Sequence, residues 1–272
     1  MTVAILTAPR GVRSVEAIFE RGKALIAYLV AGHPSVAASR ECIQAAIEGG
    51  ADLVEVGVPF SDPIADGKTI QAAGEIGLRN GMTLRRSLEL IAEIRRAHST
   101  PMVVMSYYNP ILRLGCDNFV KEAMNHGVDG MIVPDMIPEE AGDLAAASTA
   151  RDFAFIHLEA PNSGDTRLEY ICRSSTGFIY CLGLEGVTGE RDSLQDSIGP
   201  FLSRARKAEE RTREKGKKKA IAVGFGVSRP EHVRKLSGLA DGVIVGSAVV
   251  RRAGESPEAV ARFIRELKSA LC

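Results

Sequence analysis

The chain has 272 residues, with 34 basic and 34 acidic side chains, 5 Cys and no Trp. Those are ordinary globular proportions, and a balanced charge argues against a general nucleic-acid or membrane-surface binder, which needs a basic excess. No apolar run reaches the roughly 18–20 residues that cross a bilayer, and the start MTVAILTAPRGVRS has no charged region leading into an apolar one, so neither a membrane span nor a signal peptide is expected. The first element in chain order is a short amphipathic helix over Ser14–Lys23 with Phe19 inward. Eight strand-like runs follow: Leu25–Ala31, Ala51–Val58, Met102–Tyr107, Gly130–Asp135, Phe153–Ala160, Gly177–Leu182, Ala220–Gly226 and Gly242–Ala248. Most are bounded by Gly, Pro, Asn or Asp, which stop strands. Helix-period stretches lie between them, including Ser35–Glu48, Thr83–Ala97, Asn118–Asn125, Glu139–Ala150, Asp196–Lys215 and Ser256–Leu271.

A helix after every strand implies parallel pairing, because parallel neighbours need a crossover. The strands are near-continuously apolar, as strands buried on both faces should be. The economical arrangement is a single closed (β/α)8 barrel of the TIM type. No linker or composition break marks a second domain. Residues 1–24 form an N-terminal segment whose helix caps the bottom mouth, and residues 25–272 form the barrel. The basic stretch Lys207–Lys219 reads as the solvated end of a helix, with a basic partner site as the alternative.

Several chemistries lack their residues. The cysteines (42, 116, 172, 181, 272) form no CxxC pair and read as thiols in a reducing, cytoplasmic compartment. The histidines (33, 98, 126, 157, 232) show no HxH or HExxH spacing, so no metal is expected. No lysine lies in the sixth strand to form a Schiff base.

In such a barrel the reactive groups sit at the carboxyl ends of the strands. Alternation along Ala51–Val58 places Glu55 with Leu53 and Gly57, opposite Val54, Val56 and Val58. The valine face suits the outer helices, so Glu55 points into the barrel, where burial should raise its pKa and make it a proton carrier near neutral pH. The following loop carries Asp62 and Asp66. Asp62 before Pro63 is a turn former by default, and Asp66 before a helical run is an N-cap by default. Spacing leaves open which is the second carboxylate. Glycines after the last two strands, at Gly224, Gly226 and Gly246 with Ser247, suit an anion, because glycine lets backbone N–H groups approach closely and those loops are the usual phosphate position in this fold. Gly186–Gly189 could add a third lobe or a lid. Metal-free acid–base work on a phosphorylated small molecule remains.

LVEVGVPFSDPIADGKTIQ (53–71), MSYYNPI (105–111), GVDGMIVPD (127–135), EGVTG (185–189), GFGVS (224–228) and VGSA (245–248) together resemble the tryptophan synthase alpha subunit family, over essentially the whole barrel and in order. The resemblance implies retro-aldol cleavage of indole-3-glycerol phosphate to indole and glyceraldehyde 3-phosphate. It assigns the catalytic glutamate to Glu55 and the catalytic aspartate to Asp66. It puts Tyr180 near the reacting side chain, and Gly189, Gly226, Gly246 and Ser247 at the phosphate. Tyr28, Met105, Tyr107 and Ile244 line the indole pocket. It implies a pyridoxal-phosphate β subunit as partner in an αββα complex, no cofactor on this chain, and gating by the loops Pro59–Asp66 and Gly183–Arg191.

The chain departs from the family pattern at Lys68, where the family usually has Pro, at Gly183, where it usually has Ser, and at His33. Lys68 either lowers the pKa of Asp66 by charge attraction or faces solvent; Gly183 should loosen the sixth loop. The competing functions are a free-standing lyase without a β partner and a weakly catalytic activator or scaffold.

Overall fold

The computed structural model describes residues 10–183 and 193–271, except 215 and 225. Eight parallel strands form the barrel: β1 (Ala24–Val30), β2 (Leu53–Gly57), β3 (Met102–Met105), β4 (Gly130–Ile132), β5 (Ala154–Ile156 continuing as Leu158–Glu159), β6 (Phe178–Leu182), β7 (Ala220–Gly224) and β8 (Gly242–Val245). β1 pairs with both β2 and β8, which joins the two ends of the chain in one sheet. The fifth strand is interrupted at His157: its first half pairs with β4 and its second with β6. The observed strands stop two or three residues short of several expected ends, because those residues leave the ladder to form the loops of the carboxyl mouth.

Side chains alternate across the wall as the pattern of two requires. Ile26, Leu53, Val103, Ile132, Ala154, Ile156, Phe178, Ala222 and Ile244 pack together inside the barrel. Leu25, Ala27, Val54, Val56, Val104 and Val243 pack outward against the helices. These include α2 (Val36–Glu48), α3 (Lys68–Arg79) and α4 (Leu84–Arg95), with Ser35 and Thr83 as N-caps of α2 and α4. The expected helix over 139–150 is a 3-10 turn, Pro138–Glu140, followed by a short α-helix, Gly142–Thr149. Among the described residues no helix is long and apolar enough to cross a membrane.

The bottom mouth is covered by α1 (Gly11–Glu20), three residues earlier than the sequence suggests. Val15 and Ile18 enter the inner cluster, while Phe19 is half-buried and lies 5.6 Å from the Phe178 ring. One side chain fastens this helix. Asp129, fully buried before β4, accepts from the Gly11 and Met102 N–H groups and pairs with Arg95 at 2.8 Å and Arg10 at 3.0 Å.

The basic stretch is also tied down here rather than only solvated. Lys217 pairs with Glu16 and Lys218 with Asp241. Lys219 donates to the carbonyls of Cys172 and Ser175 at 2.6 and 2.7 Å, a cation at the carboxyl end of the helix Asp165–Ser174.

Removing the Asp129 carboxylate leaves Arg95 buried and without its acid. Asp129→Ala should cost about 3–5 kcal/mol of unfolding free energy in urea. A loss below ~1 kcal/mol would mean that the tether carries no weight.

Candidate active site at the carboxyl mouth

The period-two pattern that builds the wall delivers Glu55 to its interior. Its strand neighbours in register are Tyr28 on β1 and Val103 on β3. Glu55 is completely buried, and neither carboxyl oxygen has a hydrogen-bond partner among the described residues. Burial first, and then the negative charge of Asp66, push its pKa up to about 8. Glu55 therefore holds its proton more tightly than an exposed glutamate and is mostly neutral at pH 7. No cation pairs with it inside the barrel among the described residues.

Asp66 reaches the site on the loop after β2. The Phe60 ring stacks on Tyr107 at 5.1 Å. The Tyr107 hydroxyl accepts from the Ala65 N–H at 2.9 Å and donates to Asp66 Oδ2 at 3.2 Å. Gln71 Nε2 donates to the Asp66 carbonyl at 2.8 Å. Asp66 is not an N-cap: Gly67 holds that position in α3. Asp62 is exposed on the same loop and pairs with Ser61, which leaves it a turn residue. Burial raises the Asp66 pKa, and the Tyr107 hydrogen bond partly offsets this. Lys68 is exposed and takes no part in that shift, so of its two readings the solvent-facing one holds.

Two tyrosines complete the group. Tyr28 and Tyr180 are buried, and both hydroxyls are pushed up, by burial first and then by the two carboxyl groups. Gly57 makes room for Tyr28, since a Cβ there would lie 2.1 Å from the tyrosine oxygen. A Cβ on Gly224 would lie 2.8 Å from the Tyr180 oxygen.

A cleft of about 550 Å³ opens at Asp66 and Tyr180, with Glu55 and Tyr28 outside its lining. Asp66, Tyr180 and Ile244 line it, as do Gly226, Gly246 and Ser247 from the last two loops. Gly226 has φ +41°, a left-handed conformation that suits glycine. Met105 and Tyr107 are not among the cleft's lining residues: Met105 packs against the inner cluster, and Tyr107 bonds to the β2 loop. Tyr28 borders a narrow crevice it shares with Asp66. Gly189 lies outside the described residues, as does the rest of its loop beyond Gly183. Gly183 itself donates to the Gly224 carbonyl at 2.7 Å, extending the β6–β7 ladder, and the loop it is expected to loosen lies outside the described residues.

Arg251 is among the lining residues to which the sequence reading gave no role. Arg251 was within reach of it, because it stands four residues after Ser247 on one helix face, in α11 (Ser247–Ala253).

Fold and cleft together define a (β/α)8-barrel protein with two acids at the carboxyl mouth, one buried and one half-buried, and a glycine-lined pocket beside them. The family model described as "Tryptophan synthase alpha chain" matches residues 16–271. A tryptophan synthase alpha chain from Solibacter usitatus is 42% identical over 255 residues, covering 92% of each chain. Solved structures agree. A chain of the tryptophan synthase α2β2 complex from Pyrococcus furiosus superposes with TM-score 0.82 at 40% identity, covering 91% of this chain and 99% of that one. A chain of tryptophan synthase from M. tuberculosis superposes with TM-score 0.85 at 34% identity, covering 94% and 98%. The chain belongs to the tryptophan synthase alpha chain family.

Two measurements probe this electrostatics directly. Without its hydroxyl, Tyr107→Phe should raise the Asp66 pKa, read by carbon-13 carboxyl NMR; an unmoved titration would show that the bond is not formed in solution. Folding raises the Glu55 pKa from 4.5 to about 8, so the native state takes up a proton in that window and stability falls as pH rises through it. Glu55→Gln should therefore be more stable than the parent by about 3–5 kcal/mol near pH 9, with the gap closing near pH 4. Parallel stability curves for the two proteins would contradict the burial argument.

Proposed function

We propose that this chain cleaves indole-3-glycerol phosphate to indole and glyceraldehyde 3-phosphate, as the lyase subunit of a tryptophan synthase. The carrying observation is Glu55: a buried carboxyl group with no hydrogen-bond partner among the described residues, its pKa pushed up to about 8 by burial and by the charge of Asp66, the second carboxyl group, which lines the cleft. The neutral Glu55 acid protonates C3 of the indole ring. Asp66 accepts a hydrogen bond from the ring N–H and stabilises the positive charge that develops there. The Glu55 carboxylate then takes the proton of the side-chain hydroxyl as the C3–C1′ bond breaks. The bonding pair returns to the ring, indole leaves with its new C3–H bond, and the aldehyde carries the phosphate. Glu55 ends the cycle protonated, so no net proton is consumed. Each proton transfer of this kind contributes roughly 10²–10⁴ in rate.

Tyr180 lies beside the reacting side chain, and Ile244 and Tyr28 flank the ring. Gly226, Gly246 and Ser247, with Gly189, receive the phosphate. This chain supplies no cofactor, and pyridoxal phosphate belongs to the partner. Residues 25–272 act as one barrel domain capped by the N-terminal segment 1–24, working in the cytoplasm. A β subunit is the partner, in an αββα assembly. Ile64, Leu112 and Ile137 support a protein contact: these exposed apolar side chains follow β2, β3 and β4, three neighbouring strands, on the carboxyl side. Tight closure of the β2 loop would follow from that contact.

Glu55→Gln and Asp66→Asn should each lower kcat for indole release by about 10²–10⁴ while the far-UV spectrum stays intact. In the parent, kcat/KM should fall above about pH 8 as Glu55 loses its proton. Full activity in both variants would sink the assignment and leave the scaffold reading. A rate that does not change when a β subunit is added would favour a free-standing lyase.

A further inference from the structure

Two charged residues line the cleft among those described, Asp66 and Arg251. The acid has a role in the proposed reaction. The cation has none so far, and its surroundings are specific. Arg251 stands one helical turn after Ser247, and both face the cleft with Gly224, Gly226, Ser228 and Gly246. Its side chain is exposed and makes no ion pair or hydrogen bond among the described residues. Nor is it engaged with Asp66, whose carboxyl group is held up by burial with no cation relieving it. The next residue behaves differently: Arg252 pairs with Glu255 at 2.7 Å and lies 5.5 Å over the Phe263 ring, which turns it away from the cleft.

Glycine N–H groups can orient a phosphate, but they carry no full charge. A phosphate monoester near pH 7 is close to a dianion, with a second pKa of about 6. A guanidinium presents donors in a planar fork that matches phosphate oxygens. We infer that Arg251 is the counter-charge for the phosphate of the substrate, reaching over the glycine cradle from the helix after β8. This rests on the proposed phosphate site and adds a side chain to it. Because Arg251 is exposed, its contact is screened and of moderate strength.

The probe is glycerol 3-phosphate as a competitive inhibitor of indole release, with glycerol as the uncharged control. Arg251→Ala and Arg251→Gln should each weaken its inhibition about 3- to 10-fold. Arg251→Lys should recover part of the loss. The cost for the substrate should fall on KM more than on kcat, and it should shrink at high salt. Arg252→Ala removes an equal charge one residue away and should leave inhibition within about twofold. Undiminished inhibition in both neutral Arg251 variants would overturn the role of Arg251 while keeping the glycine cradle. An equal loss in Arg252→Ala would overturn it too, by reducing the effect to general field. Absence of competitive inhibition in the parent would remove the phosphate site itself, and this inference with it.

Discussion

A carboxyl group enclosed in an apolar barrel, with nothing among the described residues to hydrogen-bond, is the constraint around which the upper half of this molecule is organised. An ionised Glu55 in that place would be costly, so the site keeps it protonated. The same burial that disfavours its charge makes it an acid of useful strength. The neighbours preserve the condition rather than relieve it. Tyr28 and Tyr180 are kept as neutral phenols, and Gly57 and Gly224 admit their rings so closely that side chains at either glycine would displace them.

The second acid is held in another way. Asp66 depends on a strut built across two loops, in which the Phe60–Tyr107 stack and the Tyr107 hydroxyl carry the β2 loop to the mouth. That loop is exposed around Ile64, whereas Glu55 sits on a strand packed on both faces. The acid on the strand is thus held by packing on both faces, and the acid on the loop by one hydroxyl. Polar bonding at the opposite end serves stability instead. There Asp129 and the lysines after α9 (Ser193–Thr212) fasten the plug helix and the helix ends, away from the chemistry.

Sequence and structure agree most closely where periodicity decides. The alternation that sets Val54 and Val56 outward sets Glu55 inward, and this needs only the strand geometry. The glycines of the last two loops were legible as cleft lining for a related reason, since they stand at strand ends that meet at the mouth. Asp66 was different. Spacing could not separate it from Asp62, because the choice depends on a hydroxyl 41 residues further along the chain. Tyr107 was legible as a pocket aromatic, but its work is to hold the loop. The break in β5 at His157 has no local signal either; it follows from closing a sheet around a fixed interior.

What the sequence by itself determined is the set of things carried by short-range order: the eight alternating units, the faces of their strands, the capping helix and the family motifs. What only the tertiary structure decided is the set that depends on separate loops meeting: Tyr107 bonded to Asp66, Asp129 shared by three segments, and Arg251 turned to the cleft while Arg252 is held by Glu255 and Phe263. Periodicity records which face a residue occupies, while contacts between loops depend on how the barrel closes, and no local pattern encodes that.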